Sequence, residues 1–117
     1  MKVLNYTELI VWKKSMDLVE SIYLITNKFP KEEIYSLTNQ IRRAAVSIPS
    51  NIAEGQQRNS TGQFKYFLSV AQGSRAEVET QIRIAMRLGY ADTNEMDKIL
   101  ELCAEIGKMM HGLERAL

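Results

Sequence analysis

Apolar side chains fall at Leu9, Trp12, Met16, Val19 and Tyr23, in alternating steps of three and four, with Ile22, Ile25 and Phe29 widening the stripe. That spacing predicts an amphipathic helix with these residues on its core face. Phe29-Pro30 stops it, because a residue before proline is pushed out of the helical region. Pro30 is suited to open a second helix, with Glu32 and Glu33 in its first turn. The second stripe reads Ile34, Leu37, Ile41, Ala44, Ile48 and Ile52, and Gly55 through Thr61 is read as a break. Ser60 with Gln63 matches a capping box ahead of a third stripe, Phe64, Phe67, Leu68, Ala71, Val78, Ile82 and Ala85. Gly89 closes that helix, since glycine readily takes the left-handed conformation. Asp92 with Glu95 caps a fourth, whose stripe of Met96, Ile99, Cys103, Ile106, Met110, Leu113 and Leu117 keeps heptad spacing.

No segment alternates with a period of two for long enough to suggest a strand. Four helices joined by short loops predict an all-α fold, an antiparallel up-down-up-down four-helix bundle, as one domain over residues 1–117. Helices of this length give a slender rod that exposes much of its surface. Trp12, Tyr23, Tyr66 and Tyr90 are candidates for an outward apolar surface that a partner subunit covers.

Composition changes this picture little. Of the 117 residues, 45% are hydrophobic and 25% charged, ordinary values for a globular chain. The apolar runs fall far short of the ~20 residues needed to span a bilayer, and the N-terminus lacks the pattern of a signal peptide. The expectation is a cytoplasmic protein with no membrane partner. Cys103, the sole cysteine, excludes an internal disulfide.

Charge is more informative. The net +1 hides an asymmetry: residues 34–88 hold seven basic side chains against three acidic, a balance of +4, whereas residues 92–117 hold three against six, a balance of −3. A basic middle suits phosphate. It equally suits attraction between the two halves, or plain solvation.

In RAAVSIPSNIAEGQQR, residues 43–58, a proline interrupts an otherwise helical pattern. On a helical wheel Gln40, Arg43, Ser47, Asn51, Glu54 and Arg58 share one face. Pro49 cannot donate to the carbonyl of Ala45, at a typical cost of ~3 kcal/mol in a helix interior, so a bend is expected there. Two readings stay open. The stripe hydrogen-bonds to the third helix, for instance to Ser74 and Glu77, or it forms a subunit contact or a polar groove for a phosphate-bearing partner.

Catalysis finds few candidates. A di-metal bundle needs Glu-x-x-His pairs on two helices, and His111 is the single histidine. Cys103 sits at a heptad core position, which suits a small buried hydrophobe better than a nucleophile. Ser47 and Ser74 have no histidine nearby in sequence, and no glycine loop cradles phosphate. Glu54 with Glu77 could form an acid/base pair across helices, but carboxylates beside arginines are more often structural. The reading is therefore no enzyme, no cofactor, no metal and no small-molecule substrate.

EIYSLTNQIRRAAVSIPSNIAEGQQR, with VWKKSMDLV and FLSVAQGSRAEVETQI, resembles the four-helix-bundle family encoded by intervening sequences of bacterial 23S ribosomal RNA genes. The motif falls on Gln40, Arg42, Arg43, Ala44, Ser47, Ile48, Pro49, Asn51, Ile52, Ala53, Glu54, Gly55 and Arg58. Ser36 departs from a common glycine, and Gln56-Gln57 from an aromatic-glycine pair. The resemblance implies a homo-oligomer, a ring-like pentamer being known in the family, with an RNA-linked role. The family is also similar to accessory proteins of diversity-generating retroelements, ring-forming bundles that engage nucleic acid. The expected RNA-binding surface is Arg42, Arg43, Arg58, Lys65, Arg75, Arg83 and Arg87. The expected motif or interface residues are Gln40, Ser47, Pro49, Asn51, Glu54, Gly55, Ser74 and Glu77. The alternative is a protein-interaction scaffold that binds no nucleic acid.

Overall fold

The computed structural model describes residues 5–117. The part of the leader-peptide reading that rests on Met1 to Leu4 lies outside them. A 3-10 turn (Tyr6–Glu8) leads into α1 (Ile10–Thr26), and a second 3-10 turn (Lys31–Glu33) precedes α2 (Leu37–Gln57). Then come α3 (Thr61–Leu88) and α4 (Thr93–Ala116), and no strand occurs among the described residues. The 28 residues of α3 span about 42 Å at the usual rise, which accounts for the long dimension of a 44 × 25 × 19 Å rod.

Side-chain contacts fix the directions of the helices. Lys14 pairs with Glu105 at one end of α1 and Lys28 with Glu95 at the other, so α1 and α4 run antiparallel. Gly55 faces Phe64 and Phe67, while Ser47 meets Ser74 eight residues earlier on α2, so α2 and α3 run antiparallel too. The core between them is apolar along its length, from Leu18, Ile22 and Ile41 to Ile48, Ile52, Leu68, Val78, Ile82, Met96, Ile106 and Met110.

Four local expectations are corrected, that for Tyr90 alongside the second. Helix α1 is rotated from the predicted phase. Its buried line is Val11, Ser15, Leu18, Ile22 and Ile25, whereas Met16 and Tyr23 are exposed and Trp12 and Val19 only half-buried. Ser15 enters the core because its hydroxyl donates to the carbonyl of Val11 at 2.7 Å, and Thr26 does the same to Ile22 at 2.6 Å. A buried hydroxyl satisfied on its own helix is cheap enough to sit among apolar groups.

The second correction is the start of α2. Pro30 opens the short 3-10 turn rather than the helix, which begins at Leu37, and Ile34 is 52% exposed. Tyr90, expected on an outward surface, is half-buried here instead. It packs against Phe29 with ring centroids 5.5 Å apart and the rings tilted by 55°, and donates to Glu33 Oε2 at 2.7 Å. The carboxyl of Glu33 is held below its ordinary range by the Ser36 hydroxyl first, then by Tyr90 and the Leu37 amide. The same bond to Glu33 raises the Tyr90 phenol.

The third concerns Gly55, which is buried inside α2 rather than in a break. The loop is only Arg58 to Ser60, and Ser60 caps α3 by accepting from the Gln63 amide at 3.0 Å. Gly89 closes α3 with φ +71°, as its position required. Asp92 caps α4 by accepting from Asn94.

Candidate nucleic-acid interface

The seam between α2 and α3 is built from small side chains. A Cβ added at Gly55 would lie 2.8 Å from Phe67 Cβ and 3.0 Å from Phe64 Cδ1, so glycine here sets how closely the helices approach. Further along, the Ser47 and Ser74 hydroxyls share a hydrogen bond of 2.8 Å. Asn51 donates from Nδ2 both to the Ser47 carbonyl at 2.7 Å and to the Ser47 hydroxyl at 2.9 Å. Helix α2 is continuous through Pro49, which is buried. Asn51 reinforces the backbone beside the proline through the Ser47 carbonyl.

The polar stripe thus divides. Ser47 and Asn51 close the seam with Ser74, and Glu54 pairs with Arg58 on the surface. Beyond Ser47 the seam widens into an open groove of about 470 Å³ lined by Asn39, Gln40, Arg43, Ser74, Glu77 and Gln81. Glu77 lies in this groove rather than in a bond to the stripe. Gln81 Oε1 is buried with no donor among the described residues.

The seven basic residues expected to face RNA also divide. Arg42 ties α2 to the end of α1: Nε donates to Thr26 Oγ1 at 2.8 Å, Nη2 to Asn27 Oδ1 at 3.0 Å, and the guanidinium lies 4.6 Å from the centroid of Tyr23. Arg58 lies over Phe67 and pairs with Glu54. Arg75 is half-buried, donating from Nε to Gln72 Oε1 and from Nη1 to Glu79 Oε1, both at 2.7 Å. Arg43, Lys65, Arg83 and Arg87 are exposed and form no ion pair among the described residues. Lys65 and Arg83 are eighteen residues apart, about five turns, and Arg87 follows one turn later, so these three share one line on the outer face of α3.

The arrangement offers little to catalysis. Cys103 is fully buried, and burial first, then the Glu79 carboxylate, pushes its thiol up to about 12, with Arg75 partly opposing. A thiol so disfavoured as thiolate is a poor nucleophile. Glu54 is engaged with Arg58, whereas Glu77 lines the groove beyond Ser47. Among the described residues no three His, Cys, Asp or Glu side chains gather as a metal site. No helix of the described residues is long and apolar enough to cross a membrane.

Basic residues outside the expected set also cluster. Lys108, His111 and Arg115, at i, i+3 and i+7 on α4, line a groove against Gln72 and Arg75 of α3. Counting charge by segment hid them in an acidic helix, although their spacing on one helical face was a usable signal.

Comparison with known proteins adds two findings. The family described as 23S rRNA-intervening sequence protein matches residues 7–112. A crystal structure of a protein with unknown function from the S23 ribosomal protein family of Bacteroides thetaiotaomicron superposes with a TM-score of 0.83. It is 24% identical and covers 90% of this chain and 98% of its own. No curated protein matches the chain.

Proposed function

The chain belongs to the 23S rRNA-intervening sequence protein family, and on that footing we propose that it is a non-catalytic, homo-oligomeric, cytoplasmic bundle that associates with RNA as an accessory protein. The observation that carries this reading is the line of Lys65, Arg83 and Arg87 on α3, exposed and without acidic partners, with Arg43 exposed on α2. Exposed cations distributed over about 33 Å of one helix suit an extended polyanion better than a compact small molecule. Binding that neutralises phosphates releases counterions and weakens steeply with salt.

Homo-oligomerisation, as a pentamer on the family resemblance, multiplies that line around a symmetry axis. Outer apolar positions supply contact surface. Ile10 is 63% exposed, Leu24 66% and Tyr66 63%. A largely apolar groove of about 380 Å³ also lies between Trp12, Met16 and Val19 of α1 and Pro49 and Ala53 of α2. This groove favours a second reading, a protein-interaction scaffold without nucleic acid.

A mobility-shift titration with structured RNA at two salt concentrations separates the two. The RNA reading expects a shift at low salt that fades at high salt, and absence of any shift at low salt overturns it. Light scattering coupled to size exclusion tests assembly: a multiple of 13.4 kDa is expected, and a monomer contradicts it.

A further inference from the structure

The α3–α4 groove gathers cationic side chains from two helices. It is an open cleft of about 600 Å³ in which Arg75, Lys108, His111 and Arg115 converge, and no carboxylate lines it. Lys108, His111 and Arg115 are exposed and form no ion pair among the described residues. Asp97 and Glu101 share the helical face of Lys108 and Arg115 but precede the groove, whose α4 lining runs from Ala104 to Arg115. Glu95 and Glu105 pair with Lys28 and Lys14 of α1.

Arg75 is held at the floor of this groove by a built support. A Cβ at residue 107 would fall 2.8 Å from Arg75 Nε and 2.9 Å from its Cζ, so the guanidinium approaches α4 this closely because residue 107 has no side chain. Glycine inside a helix costs about 1 kcal/mol relative to alanine, and Gly107 is four turns into α4, away from either cap. Gln72 completes the support, accepting from Arg75 Nε at 2.7 Å and donating from Nε2 to the Gly107 carbonyl at 3.0 Å. Glu79 takes Nη1 at 2.7 Å, and Nη2 has no acceptor among the described residues. A guanidinium fixed in this way keeps Nη2 free to donate to a phosphate oxygen, beside three further cationic or protonatable side chains at helical spacing.

We infer that the groove between α3 and α4 grips the phosphodiester backbone of the RNA, with Lys108 and Arg115 as the outer contacts and Arg75 as the pre-oriented inner one. This deepens the RNA reading above and rests on it. The line of Lys65, Arg83 and Arg87 then acts as a diffuse attractive surface around a defined grip.

The test compares two charge-matched double variants by fluorescence anisotropy with a structured RNA hairpin across a salt series. Lys108→Glu with Arg115→Glu is expected to weaken binding about tenfold or more at low salt and to flatten the salt dependence by about two phosphate contacts. Arg83→Glu with Arg87→Glu is expected to weaken binding clearly less than the α4 pair does, by about threefold, as loss of diffuse attraction. Gly107→Ala, which alters no charge, is expected to weaken binding several-fold while the far-ultraviolet spectrum stays helical. Equal losses in both double variants, or a loss confined to the α3 line, overturn the grip and leave RNA association standing. Failure of the unmodified protein to bind at low salt overturns both.

Discussion

Two glycines show how the two seams of α3 differ. At Gly55 and at Gly107 a Cβ would meet its nearest neighbour at the same 2.8 Å, yet the neighbours are Phe67 Cβ in one case and the Arg75 guanidinium in the other. Phe67 Cβ is fixed to the backbone of α3 and can retreat only if the helices part. Arg75 hangs on a flexible chain and can swing away. The α2–α3 seam is therefore a packing device, and the α3–α4 seam holds a charged group in place. Interiors transmit small steric changes when the contact is rigid, and side-chain ends absorb them when it is not.

The largest effect expected from this contrast is at Gly55. Gly55→Ala gains about 1 kcal/mol of helix propensity but overpacks a rigid contact, a change that typically costs 1–3 kcal/mol and occasionally more. Because the contact is fixed to the backbone the cost falls in the upper part of that range, so a net loss of about 1–2 kcal/mol is expected as a lower urea midpoint, and an unchanged midpoint would show that the seam tolerates separation. Next comes Ser74→Ala. It removes the partner of Ser47 while Asn51 still donates to that hydroxyl, so about 0.5–1.5 kcal/mol should be lost, measured the same way.

Gly107→Ala should move stability by less than about 1 kcal/mol in either direction, because the propensity gain offsets the displaced contacts of Arg75. A loss as large as that at Gly55 would erase the distinction between the seams. The smallest effect lies away from both, at the Glu33–Tyr90 bond. Glu33 titrates below its unfolded value near 4.5, so its contribution is present above that pH and is lost as pH falls through the folded value. Tyr90 titrates above its unfolded value near 10, so its contribution is present below that pH and is lost as pH rises through the folded value. Tyr90→Phe should remove the alkaline edge of a plot of melting temperature against pH and only soften the acid edge, since Ser36 and the Leu37 amide still hold Glu33; unchanged edges would assign them to other groups.

The fold was legible because helix periodicity, caps and stops agreed with one another. Ser60 and Gly89 mark their helix ends as expected, and the buried lines of α3 and α4 follow their apolar stripes closely. The phase of α1 was not legible, because Trp12, Met16 and Tyr23 outweigh Val11 and Ser15 in hydrophobic size. Only tertiary packing, with the Ser15 hydroxyl satisfied by Val11, places the smaller residues inside. Gly55 was misread for a related reason. Glycine signals a break from sequence alone, whereas the approach of Phe67 demands it within a helix.

The candidate site was legible in part. The polar stripe and Ser74 did meet, as one of the two readings allowed. The partners of Arg42 and Arg75 depend on side chains that sequence spacing relates only loosely, Thr26 and Asn27 for one and Gln72, Glu79 and Gly107 for the other. Formal charge by segment could not reveal that half of an acidic helix presents Lys108, His111 and Arg115 on one edge.

The most direct measurement is a nitrogen-15 chemical-shift titration of the intact protein with a structured RNA hairpin in low salt. The amides of Gln72 to Arg75 and of Ala104 to Arg115 are expected to move most, while those of Ser47 to Gly55 stay near their free positions. Shifts concentrated on α2, with the α3–α4 groove unperturbed, would contradict the grip.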